Sequence, residues 1–101
     1  MADIDREQLL RELTALQPVL ASEGVLHLQL FGSRARNDHQ ADSDIDVLIE
    51  VDRTRKFSLL DMAGVYGHIQ RRTGLESSVV VRDDAPADFI ARILEDAVPV
   101  F

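Results

Sequence analysis

The chain has 101 residues, 46% hydrophobic and 29% charged, which suits one globular unit with a modest core. Its 11 Lys and Arg against 18 Asp and Glu give a formal charge of −7, which disfavours direct nucleic-acid binding. No cysteine is present, so disulfides and thiolate metal sites are excluded.

The opening Met1-Ala2-Asp3-Ile4-Asp5-Arg6 does not read as a signal peptide. No apolar run is long enough for a membrane span, and a cytoplasmic location is expected. Residues 3–21 predict a helix: Leu9, Leu13, Leu16 and Leu20 recur at helical spacing, with Leu10 widening the stripe. Asp3 or Asp5 can cap its start, Pro18 sits awkwardly near its end, and Gly24 marks the exit. Val25 to Phe31 predicts a strand with Leu26, Leu28 and Leu30 on one face. Gly32 and Ser33 break it, residues 33–36 can begin a short helix, and Asn37 to Ser43 is a polar loop. Residues 45–51 predict a second strand, apolar on both faces beyond Asp46, as for a covered strand.

A further helix is expected from Ser58 to Arg72, with Ser58 and Asp61 resembling a capping box and Gly74 as the stop. Tyr66 and Met62 are expected in its core face. Ser77 to Val81 predicts a third strand. Pro86 opens a final helix through Asp96, with Phe89, Ile90, Ile93 and Leu94 as its apolar face. Val98 to Phe101 is an apolar tail, either packed on the domain or left as a contact surface. This order implies a small mixed α/β (α+β) sheet of three or more strands flanked by helices, with residues 1–101 as a single domain.

The chemistry concentrates in Gly32-Ser33-Arg34-Ala35-Arg36 and Ser43-Asp44-Ile45-Asp46. Strand side chains alternate, so Asp44 and Asp46 share a side. Two carboxylates about 5 Å apart repel by about 3 kcal/mol at an effective dielectric near 20, so keeping them together favours a cation. A Gly-Ser turn and two arginines beside them suit a magnesium–nucleoside triphosphate. The alternative is a solvated strand start with ordinary surface arginines. His27, His39 and His68 do not form a ligand spacing, and the Arg53-Arg55-Lys56 cluster reads as a solvated turn.

Gly32-Ser33, Arg36 and Ser43-Asp44-Ile45-Asp46 resemble the signature of the polymerase-β-like nucleotidyltransferase superfamily. The short length, the Gly-Ser-Arg-Ala-Arg form and the ending Ile93-Leu94-Glu95-Asp96-Ala97-Val98-Pro99 resemble its minimal branch, the MNT proteins. The resemblance implies that Gly32, Ser33, Arg34, Arg36 and Ser43 serve the nucleotide, ATP. It implies that Asp44 and Asp46 are catalytic and hold Mg2+. It further implies an antitoxin that transfers AMP to a HEPN-domain toxin partner.

One departure stands out. The family places a third carboxylate on the next strand, where this chain has Ser78. Serine does not replace a carboxylate as ligand and base. Glu76, two residues earlier and about 6.6 Å along the strand, is the candidate substitute. Asn37 also stands where glycine is common. Two readings therefore remain: a Mg-dependent adenylyltransferase, and a catalytically degenerate antitoxin that neutralises its partner by binding only. A small-molecule or RNA-end transferase ranks lower, for want of a second domain to seat the acceptor. Oligomerisation is left open.

Overall fold

In a computed structural model the described residues are 4–101. Asp3, one of the two expected caps, lies outside them. The other is the cap: Asp5 accepts the Gln8 N–H at 2.7 Å and starts helix α1, Arg6–Ala15. The single helix expected over 3–21 is two. Pro18 has no N–H to give the Thr14 carbonyl, so α1 ends and α2, Gln17–Ser22, restarts after Leu16. The leucine stripe survives the break, and Leu9, Leu13, Leu16 and Leu20 are all buried.

Strand β1 spans Val25–Phe31 and differs from its expected pattern at one residue. Its register on the next strand shifts between Val25 and His27, which is a bulge. The extra residue turns Leu26 outward, 52% exposed, and Val25 takes the inward place beside Leu28 and Leu30. Short helix α3, Gly32–Arg36, follows directly, then a loop, then strand β2, Ile45–Val51.

Helix α4, Leu59–Thr73, opens with the expected capping box: Ser58 N–H donates to Asp61 at 2.8 Å, and Asp61 N–H donates to the Ser58 hydroxyl. It stops at Gly74, whose φ of 75° is left-handed. Strand β3, Ser77–Val81, a 3-10 turn over 82–84, helix α5, Ala87–Leu94, and the two-residue strand β4, Val98–Pro99, complete the chain.

The sheet order is β3-β2-β1-β4. β2 runs antiparallel to β1 and parallel to β3, and β4 runs antiparallel to β1. The mixed sheet flanked by helices agrees with the expectation, with β4 as the added strand. The apolar tail packs on its own domain: Val100 N–H donates to the Leu28 carbonyl at 2.9 Å, and Val98, Val100 and Phe101 lie against the core.

The two faces of the sheet are unequal. On one, Leu28, Leu30, Val47 and Ile49 join Leu9, Leu13, Val65 and Ile69 in the main core. On the other, Leu48 meets Ile90 and Ile93 of α5, with Phe31 and Val80 alongside. The apolar face expected for α5 is therefore narrower than read: Phe89 and Leu94 are 39% and 38% exposed. Tyr66 is likewise not a core residue; its hydroxyl accepts the Val79 N–H of β3 at 3.2 Å. At the start of α4, Leu59 and Leu60 stand in solvent.

Candidate active site

The site is built where β1 ends, β2 begins and α5 finishes. Gly32 turns the chain out of β1 with φ +76°, a conformation open to glycine and costly to residues with a Cβ. A Cβ there would also strike the carboxylate of Asp46, whose Cγ lies 3.1 Å from its ideal position. Both features demand glycine, and together they press bare backbone against an acid.

Asp46 lies in β2 on the same face as Leu48, the thinly covered one, and Asp44 stands just before the strand, exposed. The Asp46 carboxyl is pushed above its ordinary range, first by burial, then by Asp44, with Asp96 adding and Arg36 opposing. The shift records an anion short of compensating charge. Bound positive charge would reverse it.

In the parallel ladder Asp46 is paired with Ser78. Ser78, where the resemblance leads to the expectation of a third carboxylate, is thus directly beside Asp46 and offers a hydroxyl. Glu76 lies at the same end of β3; its backbone carbonyl accepts the Ile45 N–H at 2.9 Å, and its carboxylate accepts from Gln70 at 2.9 Å. Among the described residues no three His, Cys, Asp or Glu side chains gather as a metal-holding group. Two carboxylates fit magnesium all the same, because that ion keeps few protein ligands and takes the rest from substrate phosphates and water.

The two arginines of the loop part company. Arg34 is 1% exposed, and its guanidinium donates to the carbonyls of Ser43 at 3.0 Å, Ala41 at 3.3 Å and Ile4 at 3.3 Å. The expectation that Arg34 meets phosphate is corrected here, since its donors face the protein and shape the loop. Ser43 serves the same loop: its hydroxyl accepts the Gln40 N–H at 2.9 Å. Ser33 is partly buried in α3, and its carbonyl accepts the Asp38 N–H at 3.0 Å. Asn37 ends α3 in the left-handed conformation at φ 64°, ψ 27°, a conformation that asparagine tolerates better than most residues with a Cβ.

Arg36 keeps to the surface. It pairs with Asp38 at 3.1 Å and with Asp96 at 2.7 Å, and these two hydrogen bonds hold its pKa above the ordinary value. Asp96 follows α5 in the chain. Phe31, Gly32, Arg36, Phe89, Arg92, Ile93 and Asp96 line a groove of about 320 Å³. Sequence reasoning missed Arg92 and Asp96, because α5 read as a packing helix. The signal was the recurrence of Phe89, Arg92, Ile93 and Asp96 at helical spacing. A larger groove, of about 520 Å³, lies elsewhere, at Phe57, Leu59, Leu60 and Met62.

A four-stranded mixed sheet with a Gly-Ser turn facing paired aspartates defines a nucleotidyltransferase fold of the polymerase-β-like type. Residues 6–100 match the model of the nucleotidyltransferase domain family, and the chain belongs to that family, in its minimal branch. It is 35% identical over 83 residues to a protein of Methanocaldococcus jannaschii assigned as a protein adenylyltransferase, covering 82% of this chain and 87% of that one. A solved structure assigned as a minimal nucleotidyltransferase superposes with a TM-score of 0.84 at 26% identity, over 98% of this chain and 99% of that one. The fold is shared, at 10% identity and a TM-score of 0.69, with a chain of the complex between tri-AMPylated Shewanella oneidensis HEPN toxin and MNT antitoxin. That match covers 95% of this chain and 71% of the other.

Proposed function

We propose that this protein is a magnesium-dependent adenylyltransferase that moves AMP from ATP to a hydroxyl on a HEPN-type toxin, and so acts as its antitoxin in the cytoplasm. The observation that carries the reading is Asp46 pressed against the bare backbone of Gly32, with Asp44 close enough to raise its pKa further beyond the effect of burial. The relatives support the acceptor: one is assigned as a protein adenylyltransferase, another belongs to a complex with an AMPylated HEPN toxin, and a third is described as a toxin–antitoxin with AMP-PNP. Residues 1–101 would do this as one minimal domain.

Asp44 and Asp46 would hold magnesium together with the phosphates, and the ion would supply charge neutralisation at the reacting phosphate. Gly32 lets the phosphate chain come close, and Ser33 offers its hydroxyl as a donor. Arg36 sits at the groove, able to exchange Asp38 or Asp96 for phosphate oxygen. The acceptor oxygen attacks the α-phosphorus, the bond to the bridging oxygen breaks, and pyrophosphate leaves with that electron pair. Glu76, just before β3, would be the carboxylate to take the acceptor's proton, on releasing Gln70.

Ser78 beside Asp46 favours the second reading, in which the fold binds partner and nucleotide without turnover. One experiment separates the two. The protein is incubated with magnesium, ATP and the HEPN-type protein encoded beside it, and the partner's intact mass is recorded. An added AMP that is lost with Asp44→Ala supports the transferase. An unmodified partner that still binds, and gains AMP only with Ser78→Asp, supports the binding module.

A further inference from the structure

The groove beside Gly32 contains a cation that the reaction scheme has not used. Phe89, Arg92, Ile93 and Asp96 recur at i, i+3, i+4 and i+7, so one stripe running from α5 into the residues after it faces the groove. Ile90 and Ile93 are buried against Leu48, which fixes the helix backbone while the Arg92 side chain extends into solvent. Charge at this site is unevenly committed. Arg34 is turned into the protein, and Arg36 faces two carboxylates at once. Arg92 has no side-chain partner among the described residues, although Asp44, Asp46 and Asp96 all stand at or near the groove.

A triphosphate arriving here brings more negative charge to a site already rich in it. We propose that Arg92 binds the distal phosphates of the nucleotide, the part that departs as pyrophosphate. This rests on the reading of the site as a nucleotide site. The guanidinium meets the charge that grows on the leaving oxygens as the bond to the α-phosphorus breaks, and its planar fork suits two phosphate oxygens. It touches neither the nucleoside nor the acceptor.

Calorimetric titration of the full chain with ATP, ADP and AMP in magnesium tests this with Arg92→Ala and Arg92→Lys. Because Arg92 is exposed and unpaired, both variants keep the wild-type melting temperature without nucleotide. Arg92→Ala is expected to weaken ATP by about tenfold or more, ADP by less, and AMP not at all, with Arg92→Lys recovering part of the loss. ATP bound equally well by Arg92→Ala overturns the proposal, and so does an equal loss for AMP, which would put the side chain at the nucleoside. A wild-type protein that binds none of the three overturns the nucleotide site itself, a result distinct from either.

Discussion

At the scale of single residues, Asp46 shows most directly how the site works against the fold. Its carboxyl is held above the ordinary range by burial and by Asp44. Ionising Asp46 therefore costs more in the folded chain than in the unfolded one. Acid relieves the penalty: stability linked to this group is fully present below its unfolded pKa and is lost as pH rises through the folded one. Asp46→Asn removes the effect. Without nucleotide it should melt roughly 2 °C above wild type at neutral pH, a small gain because solvent screens a half-exposed pair. The gap should close on acidification, and the rise in melting temperature given by magnesium–ATP should vanish. Melts at a series of pH values check this, and a variant that melts below wild type at pH 7 would contradict it. Much of this was legible in the sequence, since Gly32, Asp44 and Asp46 carry their chemistry in type and spacing. The opposite fates of Arg34 and Arg36 were not: two arginines two apart look alike until carbonyls as distant as Ile4 and Ala41 close on one of them.

At the scale of elements, the sequence showed where chain segments begin and end more reliably than which way they face. The capping box at Ser58 and the stop at Gly74 are local signals, and both stand in the structure. The bulge that expels Leu26 is not local, because it is set by pairing with Glu50 and Val51 across the sheet. Alternation alone predicts an uninterrupted strand there. The end of α3 gives a prediction of its own. Asn37 holds the left-handed turn that leads into the loop before Asp44. Asn37→Ala should lower stability by about 1 kcal/mol, about 4–8 °C in melting temperature, while Asn37→Gly should stay near wild type. Equal melting of the two variants would show that the turn does not select its residue.

At the scale of the whole molecule, Arg34 joins regions that sequence keeps apart. Its guanidinium ties the carbonyl of Ile4, ahead of α1, to the loop of Ala41 and Ser43 that delivers Asp44. Arg34→Met keeps the bulk but leaves those carbonyls without their donor. It should cost about 3 kcal/mol and lower melting by more than about 10 °C. Thermal unfolding of the variant settles the size, and a drop of only a degree or two would show that the fold does not depend on these three hydrogen bonds. The opposite margin of the sheet has a different consequence. β3 is an outer strand, and the N–H of Val79 already has an acceptor in the Tyr66 hydroxyl. A strand from another chain that added itself to this edge would have to displace that phenol first. An incoming strand would gain one hydrogen bond fewer at this edge, because the phenol has already taken the Val79 N–H.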